Sequence, residues 1–151
     1  MIEVKIKDIA FDIGKNGATV LLTDVKGEQT LPIWIGLFEA KAIALELQQI
    51  RPHRPMTHDL ISNVFKELHA TITRVVINDL SDNVYYALIH AKNAQGEIAI
   101  DSRPSDAIAV ALRVNVPIFV ENKVMAKASG CEWEDEEDER TKKFIEWVDK
   151  L

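Results

Sequence analysis

Twice along this chain a stretch of two-residue alternation, broken by tight turns, gives way to apolar spacing of three and four residues. That repeated switch restricts the fold more than any other feature, because the two periods select strands and helices respectively. In the first half, alternation over Ile2–Phe11 leads through Gly14-Lys15-Asn16-Gly17 into a strand at Thr19–Thr23. Lys26-Gly27 then turns the chain into a returning strand at Gln29–Trp34. Beyond Gly36, the residues Leu37, Ala40, Ile43, Ala44 and Leu47 share one face of a helix expected to reach Ile50. In the second half, Ala70–Ile77 is β-branched, Ser81-Asp82-Asn83 turns, and Val84–Ala91 pairs with Glu97–Ile100 around Asn93 to Gly96. A helix over 104–113 follows. Short matches mark the repeat: Lys7-Asp8-Ile9 with Asn78-Asp79-Leu80, Gly27-Glu28 with Gly96-Glu97, and Ala42-Ile43-Ala44-Leu45 with Ala107-Ile108-Ala109-Val110. The expectation is a duplicated β-β-β-α unit, and so an α+β fold whose mostly antiparallel sheet has helices packed on it.

Between the halves, Arg51-Pro52-His53-Arg54-Pro55 reads as a rigid loop, since each proline also holds its predecessor extended. Thr57 is the expected cap of a further helix to about Leu68, with Leu60, Ile61, Val64, Phe65 and Leu68 as its apolar stripe. Val116–Val120 reads as a short strand, which Pro117 places at a sheet edge or at a strand start.

The 151 residues suit one domain over 1–131 with an appendage over 132–151. The hydrophobic content of 47% excludes disorder along the whole chain, and the absence of an 18-residue apolar stretch excludes a spanning helix. Met1 to Asp8 alternates as a strand does and lacks a signal peptide's apolar centre. Cys131 is the only cysteine, so neither an internal disulfide nor a thiolate zinc cluster can form, and a cytoplasmic location is expected. Net charge divides unevenly. Residues 1–131 carry 14 basic and 15 acidic groups, while 132–151 carry 4 and 9. A nearly neutral body has no basic stripe of the kind a dedicated duplex-DNA binder needs, although an enzyme touching a few phosphates is compatible with it.

The chemistry concentrates at Asp101-Ser102-Arg103-Pro104-Ser105-Asp106, where a strand hands over to a helix. A helix start offers unpaired N–H groups and the positive end of the dipole. One reading is structural: Ser102 or the Arg103 backbone caps the helix, Pro104 occupies the first helical position, and Asp106 accepts an N–H in the first turn. The other is a functional site, because capping alone does not require Asp101 and Arg103. The equivalent junction of the first half, Ile33 to Ala40, supplies Glu39. A third polar cluster, Arg54-Pro55-Met56-Thr57-His58-Asp59, offers a histidine suited to acid–base work near neutrality, with solvated or capping roles as the alternative. Glu39, Asp59, Asp101 and Asp106 are enough carboxylates for a hard divalent cation, provided they converge. Glycine-rich phosphate loops, nucleophile elbows, H-E-x-x-H helices and EF-hand loops are all absent from the sequence.

Three blocks, Ile35-Gly36-x-x-Glu39-Ala40, Arg54-Pro55-x-Thr57-His58-Asp59-Leu60 and Asp101-Ser102-Arg103-Pro104-Ser105-Asp106-Ala107-Ile108-Ala109, resemble the bifunctional nuclease family in order and spacing. The resemblance covers residues 1 to about 130. It implies cleavage of both DNA and RNA, without an agreed mechanism. The resulting expectation is a phosphodiesterase assisted by Mg or Mn. Glu39, Asp101 and Asp106 would hold the metal, Arg103 would stabilise phosphate charge, and His58 would serve as acid or base. Arg54, Thr57, Asp59 and Ser105 would bind or orient. The alternative is a non-enzymatic regulatory module that binds a small anion or a partner protein. In the tail, almost continuous acid over Glu132–Glu139 precedes Phe144, Trp147, Val148 and Leu151 at helical spacing. That stripe, with the edge expected at Val116–Val120, points to a homo-oligomer, most simply a twofold dimer.

Overall fold

A computed structural model of the chain describes residues 1–128 and Lys150. Three strands open it: β1 (Ile2–Asp12), β2 (Gly17–Asp24) and β3 (Thr30–Gly36). The helices α1 (Leu37–Leu47) and α2 (Thr57–Glu67) come next. They lead to β4 (Thr71–Ser81), β5 (Val84–Asn93) and β6 (Gly96–Ser102). The described residues close with α3 (Pro104–Val114), β7 (Ile118–Val120) and α4 (Asn122–Ala128). One seven-stranded sheet results, in the order β3-β2-β1-β7-β4-β5-β6. Every pairing is antiparallel except β4 with β7. Each half is thus a three-stranded meander followed by a helix, the α+β order that the repeated switch of period leads one to expect.

Of the two places that Pro117 allows the strand at Val116–Val120, a sheet edge or a strand start, the second is found. The strand is shorter, Ile118–Val120, and lies at the centre of the sheet, between β1 and β4. Pro117 sits just before it, where the missing N–H costs nothing, and the Pro117 carbonyl accepts the Val75 N–H at 3.1 Å. The sheet edges are instead β3 and β6.

The helix α3 is buried on nearly every side, because α1 flanks it, α2 packs along it and the β4–β5 hairpin lies beneath. Ala107, Ala109 and Ala111 let neighbouring backbones approach, while Ile108 and Val110, fully buried, each contribute roughly 1.5–3 kcal/mol. By contrast α2 packs sideways. Of its expected stripe, Ile61 and Phe65 meet the core, whereas Leu60, Val64 and Leu68 are exposed. The helix α1 stops at Leu47 rather than Ile50, because Gln49 adopts a left-handed backbone (φ 55°) and the Ile50 N–H returns to the Leu45 carbonyl. No helix among the described residues is long and apolar enough to cross a membrane. The acidic tail with its Phe144, Trp147, Val148 and Leu151 stripe, and Cys131, lie outside the described residues.

Candidate functional site

The helices α1, α2 and α3 each carry an acid at the third helical residue: Glu39, Asp59 and Asp106. A carboxylate there meets the free N–H groups and the dipole of its own helix. Only one of the three closes its own helix, for Asp59 Oδ2 accepts the Met56 N–H at 2.9 Å. This corrects the expected cap: Met56 is the N-cap residue and Thr57 is already helical. The start of α3 also differs in detail. Pro104 takes the first position as expected, but Arg103 and Ser102 make no side-chain cap, and the Ser102 hydroxyl donates to the Ala87 carbonyl at 3.4 Å.

Asp106 is therefore free of capping, and it bonds elsewhere. Arg103 donates from Nε to Asp106 Oδ2 at 2.8 Å and from Nη2 to Oδ1 at 3.2 Å, a two-pronged clamp. Its Nη1 donates to Glu39 Oε1 at 3.1 Å, so the carboxylates that open α1 and α3 hold one guanidinium between them. His58 Nε2 lies 2.9 Å from Asp106 Oδ1. These four residues come from three helix starts, which the packing of α3 against α1 and α2 brings together. The Arg103 side chain is 65% exposed, whereas that of His58 is 8% exposed. His58 thus buttresses Asp106 from beneath, and the arginine faces outward.

Burial raises the Asp106 pKa, but the hydrogen bonds and charges of Arg103 and His58 outweigh it, and the net shift is downward. The Asp106 hydrogen bonds, then its charge, raise the Arg103 pKa against some desolvation, with a further contribution from Glu39. A guanidinium carries five N–H donors, of which three are used here, so two are left on an exposed, permanently charged group. Such a fork fits two oxygens of a phosphate.

The other expected site residues are placed differently. Asp101 pairs with Leu88 and Ser102 with Ala87 in the β5–β6 ladder. Ala87 faces the helix-covered core, so strand alternation turns Asp101 to the opposite face, where it is exposed. Asp101 therefore does not join Glu39 and Asp106, whose facing oxygens are already committed to Arg103. Among the described residues no group of three His, Cys, Asp or Glu side chains is arranged to hold a metal ion. The donors expected for Mg or Mn do not fit such an ion as they stand. Arg54 and Thr57 are exposed, and Ser105 is buried in the first turn of α3. His69 closes α2 with a left-handed backbone (φ 56°), and the His90 pKa is lowered by burial and by Arg74 opposite it.

One residue of the neighbourhood escapes sequence reasoning. Arg113, whose side chain is 6% exposed, donates to Asp59 Oδ1 at 2.9 Å, to the Ala109 carbonyl at 2.8 Å and to the Ala42 carbonyl at 3.1 Å. It ties the three helices together behind the junction. Its only sequence signal is a lone arginine ending an apolar helix.

Gly36 has an identifiable reason to be glycine. Its backbone (φ −73°, ψ 162°) suits any residue, but an added Cβ would collide with Oε2 of Glu39. Gly36→Ala is expected to push the Glu39 carboxylate off Arg103 while the fold persists, since the far end of a side chain can move. Alanine also restricts the unfolded chain, an offset of about 0.4–1 kcal/mol. Thermal melting should therefore shift by only a few degrees, with a crystal structure showing the Arg103–Glu39 contact broken. A retained contact would remove this role for Gly36.

The profile of the bifunctional nuclease domain matches residues 20–132, a span that includes all four residues of the junction. The chain is 42% identical over 159 aligned positions to an uncharacterized protein of Mycobacterium tuberculosis strain H37Rv, covering 99% of this chain and 94% of that one. It is 28% identical over 116 positions to bifunctional nuclease 1 of Oryza sativa subsp. japonica and to the bifunctional nuclease of Oryza minuta. Those alignments cover 75% of this chain and 35% of the rice proteins. With a profile spanning most of its length laid over three linked helix starts, the chain belongs to the bifunctional nuclease domain family.

Proposed function

We propose that this protein hydrolyses phosphodiester bonds in DNA and RNA, with Arg103 as the group that meets the scissile phosphate. The observation that carries the reading is an exposed guanidinium held by two carboxylates from separate helices, with two N–H groups to spare. Pre-set donors of this kind stabilise charge that develops on a phosphoryl group without reorganising during the reaction. Glu39 and Asp106 aim the fork, and His58, held out of solvent, fixes Asp106 as a positioning residue. The rice relatives carry the name bifunctional nuclease, which supports the same substrate class. An exposed aromatic ring at the first junction supports it too: Phe38, beside Glu39, is 79% exposed. Bases stack on such faces whatever their sequence.

No step of this proposal passes through a metal ion. Cleavage of plasmid and of RNA by protein freed of contaminating nuclease, with and without added Mg or Mn, tests the activity and any metal requirement together. Absence of cleavage under every condition would leave an interaction module in its place.

A homo-oligomer belongs to the same proposal. Its support is no longer an edge at Val116–Val120 but the exposed line of Leu60, Val64 and Leu68 on α2, together with the open edge of β6. Light scattering is expected to give twice the chain mass at micromolar concentration, and a monomer there would end it.

A further inference from the structure

A second polar feature lies behind the first turn of α2, and the junction does not use it. A cleft of about 380 Å³ opens between the C-terminal end of α1, the loop that follows, and the outer side of α2. Arg51, His53 and Lys66 line it, with Ser62 and Asn63 as neutral donors. Two carboxylates share the lining, and both face cations: Asp59 is held by Arg113, and Glu46 lies 4.0 Å from Arg51. The side chains of His53 and Lys66 have no hydrogen-bond or ion-pair partner among the described residues, and the Arg51 side chain is 83% exposed. An uncommitted Lys66 and an Arg51 held only by its 4.0 Å contact with Glu46 therefore meet in a concavity of a chain whose net charge is −6. The remaining wall is apolar, formed by Ile50, Pro52 and Pro55. A volume of this size admits a small ligand such as a mononucleotide.

We infer that this cleft binds one phosphorylated nucleoside unit, its phosphate on Arg51, His53 and Lys66 and its sugar and base against Ile50, Pro52 and Pro55. Resting on the phosphodiesterase reading, the unit is a nucleotide of the substrate strand further along it from the one held at Arg103. The two places adjoin in the chain, for His58 supports Asp106 while Asp59, the next residue, lines the cleft. Pro52 and Pro55 fix φ at two positions of this loop, which bends at His53 and Arg54, so its backbone has less freedom to lose when ligand arrives.

The test uses the full-length protein and the variant Arg51→Gln/Lys66→Gln, whose changes fall on exposed side chains, with thermal melting to confirm the fold. Titration with adenosine 5′-monophosphate and with inorganic phosphate, followed by calorimetry, should show the nucleotide binding more tightly than phosphate alone. The double variant should bind it about tenfold more weakly, the scale of losing charge-assisted hydrogen bonds at a solvated site. A fluorescein-labelled single-stranded DNA octamer should lose affinity in parallel. Equal affinities for phosphate and nucleotide would overturn the nucleoside assignment. Unchanged nucleotide binding by the folded double variant, or no binding to the wild type at millimolar nucleotide, would overturn the site. Wild-type protein that binds the nucleotide through Arg51 and Lys66 yet cuts neither plasmid nor RNA would keep the site and remove the phosphodiesterase reading.

Discussion

Arg113→Met is expected to destabilise the fold by about 3 kcal/mol, the scale of removing one partner from a buried ion pair. Methionine fills most of the volume, so packing is largely kept. The loss is electrostatic: Asp59 is left without its cation, and the Ala42 carbonyl loses the donor it has beyond its own helix. Asp59 is about a third exposed and regains some water, which places the effect at the lower end of the usual range. In a domain of this size the melting temperature should fall by roughly 8–15 °C. Arg113→Lys should not restore it, because one ammonium cannot reach acceptors on three helices in the plane of a guanidinium. A cycle combining Arg113→Met with Asp59→Asn should show coupling of about 1–3 kcal/mol. Melting curves that overlay within error would mean that the three-helix tie contributes nothing.

Arg113 also marks the limit of what the chain discloses before it is folded. Its partners are 54 and 71 residues away, and nothing local distinguishes it from a surface arginine at a helix end. Local signals fared better. The alternation and turns located six strands, and the acids at Glu39, Asp59 and Asp106 could be read at helix starts because that position has a local physical meaning. Conclusions that depended on which face a residue occupies did not carry over. Asp101 adjoins Arg103 in sequence, yet strand parity places it on the far side of the sheet. Leu60 and Ile61 belong to one apolar stripe, but α2 leans on α3 and buries only part of it. The strand β7, three residues long, carries too little pattern to reveal that two other strands close around it. Nothing in the sequence pattern marks α4. Helix ends were blurred for a different reason: Gln49, His69 and Asn115 take the left-handed conformation that glycine usually signals.

At the junction itself the expected effects are on catalysis. Asp106→Asn should lower cleavage about 100-fold or more, the scale of removing one pre-set donor at developing charge. The amide nitrogen would turn a donor towards either Arg103 or His58, and the two-pronged clamp would open. Stability should change little by comparison, by about 1–2 kcal/mol. The pH dependence of that cost has a definite sign. The folded Asp106 pKa lies below its ordinary value of 3.8, so its contribution is fully present above 3.8 and is lost as pH falls through the lower folded value. The stability difference between wild type and Asp106→Asn should therefore be level from pH 7 to pH 5 and shrink below about pH 4. Arg103→Lys separates charge from shape, since lysine keeps the charge but cannot bridge Glu39 and Asp106 while offering two further donors. A phosphate-binding Arg103 predicts lost cleavage with near-normal melting. An arginine that serves only the fold predicts the reverse. Wild-type cleavage rates from both variants, each shown to be folded, would take the junction out of the chemistry and leave two helix starts that share an arginine for packing alone.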